Sequence, residues 1–159
     1  PLLTGDALFC GYYLNELLMH LLPREDAHDR LFAGYARMLA RLADDPRGTV
    51  READLRSFEK TLLQELGYGL TLAHDSAGAA IDPAAHYAYR MEQGPVRLEH
   101  ADAAAQAVSG KTLIDLAAED FADPRSRIEA KQLMRTLMAY YLGGKELETR
   151  KIFRELQEL

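Results

Sequence analysis

The sequence predicts a mainly α fold, a bundle of about five to six helices with a small irregular or β-hairpin insert near residues 71–108. Three observations carry this expectation. Apolar residues recur at steps of three and four on both sides of the insert. Residues that start and stop helices bracket those runs. Between Thr71 and Val108 the helical period is lost, and Ala, Gly, Asp and Pro are scattered instead.

The first helix is expected from about Asp6 to Leu22. Leu8, Tyr12, Leu14, Leu17, Leu18 and Leu21 make a broad apolar face, Thr4 and Asp6 offer capping oxygens, and Pro23 closes the run. The second runs from about Ala27 to Ala43, with Leu31, Phe32, Tyr35, Met38, Leu39 and Leu42 as its stripe. Asp44 to Gly48 reads as a loop. Thr49 and Glu52 form a capping box for a third helix that buries Leu55, Phe58, Leu62 and Leu66 and ends at Gly67-Tyr68-Gly69. In the insert, extended pieces are expected near His86 to Met91 and Val96 to His100, with Gln93-Gly94-Pro95 as the turn. Ser109 caps a short helix carrying Leu113, Ile114, Leu116 and Ala117. Asp123-Pro124 opens the strongest helix, which Gly143-Gly144 stops. A last helix, capped by Thr149, places Ile152, Phe153, Leu156 and Leu159 on one face. The whole chain reads as one domain, residues 1–159, with the insert inside it.

Size and composition allow such a core. The chain has 159 residues, 48% hydrophobic and 28% charged, which suits a globular domain that needs no covalent staples. Pro1 at the start implies processing or a fragment of a longer chain. No apolar run approaches the roughly 18 residues of a membrane span, and Leu2 to Cys10 lacks a secretory leader. Cys10 is alone, so neither an internal disulfide nor a cysteine-based zinc site is expected; it fits a reducing cytoplasm and is expected to be a small buried hydrophobe. The net charge of −6 argues against a protein coated by nucleic acid. From Asp123 onward, however, eight Lys or Arg face six Asp or Glu, a net of +2, against eleven and nineteen, a net of −8, before it. An anion-binding surface is expected in that last quarter.

Motifs for chemistry are sparse. Gly110-Lys111-Thr112 resembles the end of a phosphate-binding loop, but Ala105 stands where its first glycine belongs, and the alanine-rich stretch before it is not expected to be a strand. The five histidines form no helical metal pair. Asp26, His28 and Asp29 are close in sequence but sit where acids favour a helix start. No nucleophile is paired with a base, so no catalytic residues, cofactor or metal are expected. Of the tyrosine pairs, Tyr12 and Tyr141 fall on apolar stripes and are expected in the core; Tyr13 and Tyr140 are open.

The clearest candidate is a basic ridge. Arg127, Lys131 and Arg135 are four apart on one helix, flanking an apolar face centred on Ala130, Met134, Leu137, Met138 and Tyr141. Cations beside apolar groups suit a partner that is acidic and hydrophobic; the alternative is a solvated edge with Glu129 as local counter-ion. The candidate partner- and DNA-binding set is Arg127, Lys131, Arg135, Lys145, Arg150 and Lys151, with Met134, Met138 and Tyr141. Free amides near Thr149 are expected to help hold an anion.

The residues also resemble a family. Tyr13-Leu14-Asn15-Glu16-Leu17-Leu18, Leu55-Arg56-Ser57-Phe58-Glu59, Leu66-Gly67-Tyr68-Gly69-Leu70, Glu129-Ala130-Lys131-Gln132-Leu133-Met134-Arg135, Tyr141-Leu142-Gly143-Gly144-Lys145-Glu146-Leu147 and Phe153-Arg154-Glu155-Leu156 stand in the order of the helical C-terminal domain of the bacterial recombination mediator RecO. The resemblance runs from about Gly11 to Leu156. It implies an N-terminal OB-fold domain outside this sequence, binding to single- and double-stranded DNA (weak for the helical domain alone), strand annealing, and RecA loading with RecR. It also implies docking of the acidic, hydrophobic C-terminal tail of single-stranded-DNA-binding protein. Some members carry a zinc-binding cysteine cluster after the Leu-Gly-Tyr-Gly signature. Here His74-Asp75-Ser76-Ala77-Gly78 stands in its place, so the insert is expected to be metal-free and held by packing alone. The function expected is therefore a non-enzymatic mediator module in DNA repair, the alternative being a helical interaction or regulatory bundle unrelated to DNA.

Overall fold

The computed structural model describes residues 2–23, 27–45, 51–100 and 106–157. Its elements are α1 (Gly5–Leu21), α2 (Asp29–Asp44), α3 (Arg51–Glu65), β1 (His86–Arg90), β2 (Gly94–Leu98), β3 (Ala107–Ser109), α4 (Gly110–Ala118), α5 (Pro124–Tyr141) and α6 (Glu148–Gln157). The mainly α reading with a small β insert holds. The chain divides into two compact units, one formed by residues 1–67 and 138–159 and the other by 68–137, so the second unit is wider than the insert expected at 71–108. Helix α5 contributes residues 124–137 to the second unit and its last turn to the first.

In the first unit α1 packs on α2 and on α6, and α2 packs on α3. Leu14 and Leu17 of α1, Leu31 of α2, and Leu62 and Leu63 of α3 are almost wholly buried, as the three- and four-residue spacing requires. Two expected core residues are not there. Tyr12 is 53% exposed and Phe32 71%. The buried line of α1 follows Ala7, Gly11, Leu14 and Leu17, which turns Tyr12 outward and Tyr13 inward. On α2 the buried positions are Leu31, Met38 and Leu42, spaced as a two-turn seam that leaves Phe32 on its outer side. Cys10 is half-buried. Thr4 takes the N-cap position of α1 but its side chain makes no cap bond. Thr49 of the expected capping box, Asp26 and Leu159 lie outside the described residues.

Helix α3 carries charge into this core. Arg56, Glu59 and Lys60 are all buried. The Arg56 guanidinium lies 3.0 Å from the Glu59 carboxylate, and the Tyr13 hydroxyl donates to that carboxylate at 2.5 Å. Burial pushes the Glu59 carboxyl above its ordinary value, and Arg56 and the Tyr13 bond only partly offset this. The Tyr13 hydroxyl is pushed up as well, first by burial and then by the neighbouring Glu59.

The second unit is built around an antiparallel sheet of order β2-β1-β3. The expected hairpin is present: His86 pairs with Leu98 and Arg90 with Gly94. The third strand was not expected. Tyr87 pairs with Val108 there, across a stretch whose alanines favour helix. Tertiary pairing overrides that local preference. Tyr87 is fully buried, and its hydroxyl accepts the Asp82 amide at 2.9 Å.

The loop before the sheet is not held by packing alone. His74 and Ala80 form a bridge, Ile81 N–H donates to Ala73, and Ser76 N–H donates to Pro95 of β2. The buried Asp75 carboxylate accepts the amides of Ala77 and Ala79, both at 2.9 Å. A side-chain acceptor thus organises the segment from within.

Candidate functional site

Helix α5 begins as its sequence signals suggest, with the Asp123 carboxylate accepting the Arg125 amide at 2.8 Å ahead of Pro124. In the second unit Ser126, Ala130, Leu133, Met134 and Leu137 face inward. Arg127, Lys131 and Arg135 are all exposed. At about 100° per residue, the ridge runs from the edge of the buried face at Arg127 to nearly opposite it at Arg135. Successive cations are about 6 Å apart along the axis. Among the described residues the side chains of Arg127 and Arg135 make neither an ion pair nor a hydrogen bond.

The apolar half of the expected site is corrected. Met134 and Met138 are fully buried, so these side chains fill the core and present no surface anchor. The exposed apolar residue on the cation-bearing face is Ile128, 60% accessible and between Arg127 and Lys131. Tyr141 is half-buried with its ring edge-to-face on Tyr140, centroids 5.2 Å apart.

In the first unit Lys145 and Lys151 are exposed. Arg150 is committed internally: it donates to the Tyr13 hydroxyl at 3.2 Å and lies over its ring, 5.2 Å from the centroid. The expected free amides at the start of α6 are also taken. Thr149 is inside the helix, not its cap, and the Glu16 carboxylate of α1 accepts the Glu148 and Thr149 amides at 2.7 and 3.0 Å. Burial pushes Glu16 up, but its bonds to Thr149 and Glu148 outweigh this and hold it below the ordinary carboxylate value. This unit also holds an open apolar recess of about 210 Å³ lined by Leu18, Leu22, His28, Leu31, Phe32 and Tyr35.

Glu129 is not the counter-ion of the ridge. Its carboxylate accepts the Ser109 amide and hydroxyl, both at 2.8 Å, the Thr112 hydroxyl at 2.7 Å and the Arg125 guanidinium at 2.7 Å. Burial raises its pKa, but these donors prevail and set it at about 2. Ser109 caps α4 as expected, its hydroxyl accepting the Thr112 amide.

The same network weighs against the phosphate-loop likeness; of the two expected grounds, Ala105 in place of the first glycine stands and the missing strand does not. A strand, β3, does feed Gly110. Yet a Cβ at Gly110 would sit 1.9 Å from the Asp82 carbonyl oxygen, so this glycine serves a close backbone approach. Lys111 is paired with Asp115 and Asp123, and the Thr112 hydroxyl is buried among Ser109, Ser126 and Glu129. Among the described residues, the amides of Ser109 to Thr112 and the Lys111 ammonium are already engaged within the chain. Among the described residues no group of three His, Cys, Asp or Glu is placed to hold a metal. His28 lies 3.9 Å from Glu65.

Sequence reasoning missed the buried Arg56–Glu59 pair and the carboxylate Glu16, and gave Glu129 the wrong partners. The first was visible: Glu59 stands four residues after Leu55 and three before Leu62, on the apolar stripe itself. Glu16 accepts from an amide 132 residues away and Glu129 from Ser109, 20 residues away, both beyond any local pattern, whereas the Arg125–Glu129 pair has the local spacing of four.

The sequence model of the family described as "Recombination protein O C terminal" matches residues 2–151. Relatives named DNA repair protein RecO match as well, among them three from the following bacteria. That of Dechloromonas aromatica strain RCB is 75% identical over 159 residues, covering 100% of this chain and 66% of its own length. That of Aromatoleum aromaticum is 49% identical over 160 residues, covering 100% and 65%. That of Azoarcus sp. strain BH72 is 47% identical over 163 residues, covering 100% and 66%. The chain spans just under two thirds of the length of these relatives. With the family model matching nearly end to end, the chain belongs to the RecO C-terminal family.

Proposed function

We propose that this chain is a non-catalytic mediator module of DNA repair by homologous recombination, working in the bacterial cytoplasm. In this reading it docks the acidic, hydrophobic tail of single-stranded-DNA-binding protein. It also adds phosphate contacts that assist strand annealing and RecA loading with RecR. Family membership and the relatives' names support the repair role. Among the described residues no helix is long and apolar enough to cross a membrane.

One observation carries the docking surface: the exposed α5 face bearing Arg127, Lys131 and Arg135 with Ile128 among them. The cations meet the tail's carboxylates and Ile128 meets its apolar end. Rim charges of this kind act on association rate and selectivity, and the apolar contact on retention. A labelled tail peptide titrated against wild type, Lys131→Glu and Arg135→Glu tests this. Both reversals should weaken binding and leave the melting temperature nearly unchanged, because these side chains are exposed. Equal affinities for all three exclude the face.

A second reading, favoured by the apolar recess of the first unit, seats the tail's end against Phe32. Phe32→Glu would then abolish binding while the two reversals did not.

A further inference from the structure

In the second unit, helix α5 carries a cation that is not part of the ridge. With Arg127 as reference and about 100° per residue, Lys131, Arg135, Ile128 and Arg125 stand at about 40°, 80°, 100° and 160° around the axis. Arg125 therefore lies on the far side of Ile128 from Arg127 and Lys131. The buried residues Ser126, Ala130, Leu133 and Leu137 take the opposite arc. All four cations are exposed, but Arg125 differs from Arg127 and Arg135 in being tied. Its Nε donates to Glu129 Oε1 at 2.7 Å, and its Nη2 lies 3.4 Å from His86 Nε2. Glu129 is itself fixed. Its other oxygen accepts the Ser109 amide and hydroxyl and the Thr112 hydroxyl, and its side chain is only 14% exposed.

We infer that Glu129 sets the specificity of the α5 face by withholding Arg125, so that a phosphodiester strand meets cations on only one side of Ile128. This rests on the phosphate contacts proposed above. Glu129 acts in two ways. It occupies the Arg125 guanidinium from four residues along the same helix. Even when that exposed pair opens, the fixed carboxylate remains beside any anion drawn to Arg125 and repels it. Glu129 touches no phosphate itself; it is a positioning residue that leaves the ridge as the anion-facing side.

Binding of the intact chain to a labelled single-stranded thymidine oligonucleotide over a salt series tests this, read as the slope of log affinity against log salt. Each phosphate neutralised on a single strand steepens that slope by about 0.7. Arg127→Ala should make it shallower by about 0.7, whereas Arg125→Ala should leave it unchanged. Glu129→Gln keeps the shape and drops the charge, so it should steepen the slope by about 0.7. Adding Arg125→Ala to Glu129→Gln should restore the wild-type slope. Arg125→Ala behaving like Arg127→Ala overturns this inference alone. That comparison uses two exposed side chains and decides the matter even where Glu129→Gln fails to fold. A folded Glu129→Gln with the wild-type slope also overturns it. So does a steepening that survives the loss of Arg125, since net charge would then be the cause. An unchanged slope in Arg127→Ala overturns the phosphate-contact reading and this inference with it.

Discussion

Replacing Glu129 with Gln keeps the shape of the side chain and removes its charge. In the wild type the carboxylate accepts four hydrogen bonds, from the Ser109 amide and hydroxyl, the Thr112 hydroxyl and the Arg125 guanidinium. A carboxyl held at about 2 in place of the ordinary 4.5 corresponds by linkage to about 3 kcal/mol of stability. Arg125 is 66% exposed, so water screens its share. The remaining donors make the expected cost of Glu129→Gln about 1–2 kcal/mol at neutral pH. Glu129→Ala, which also strands the Ser109 amide and the Thr112 hydroxyl, should cost about 2–4 kcal/mol. The sign of the pH dependence follows from the depressed value. The contribution is complete above the ordinary carboxylate pKa and is lost as pH falls from there through the folded value near 2. Urea denaturation followed by circular dichroism at pH 7 and pH 3 measures both effects. The difference between wild type and Gln should shrink by about half at the lower pH. A Gln variant as stable as wild type at pH 7, or a difference that does not shrink in acid, refutes the assigned network.

Gly110→Ala should destabilise by about 3 kcal/mol or more, because its Cβ meets the Asp82 backbone oxygen at 1.9 Å; thermal melting measures the loss. Asp75→Ala should cost about 1–2 kcal/mol by freeing the Ala77 and Ala79 amides, and exchange should accelerate in residues 73–81 before elsewhere. Chelator should leave the melting temperature unchanged, and elemental analysis should find no stoichiometric zinc. Binding of the chain to single-stranded oligonucleotides should be weak. About three ridge cations predict a slope near −2 for log affinity against log salt, and a much steeper slope would mean that more of the surface contacts phosphate.

The helices were legible because their information is local. The apolar period of Leu14 and Leu17 or of Leu62 and Leu63, the cap at Ser109 and the start at Asp123-Pro124 each act within a turn or two, and each appears where the pattern places it. The ridge of Arg127, Lys131 and Arg135 was legible too, since a period of four on a helix needs no tertiary knowledge. Neighbouring elements decided the rest. Strand β3 exists because β1 offers an edge to Ala107–Ser109, against the helical leaning of the alanines before it. Met134 and Met138 read equally well as a surface stripe or as core, and only burial made them core. Arg150 and the first amides of α6 look free in sequence, but Tyr13 and Glu16, more than a hundred residues earlier, hold them. Periodicity says which residues share a face; which faces are covered, and which charges are already spent, depends on what the rest of the chain brings against them.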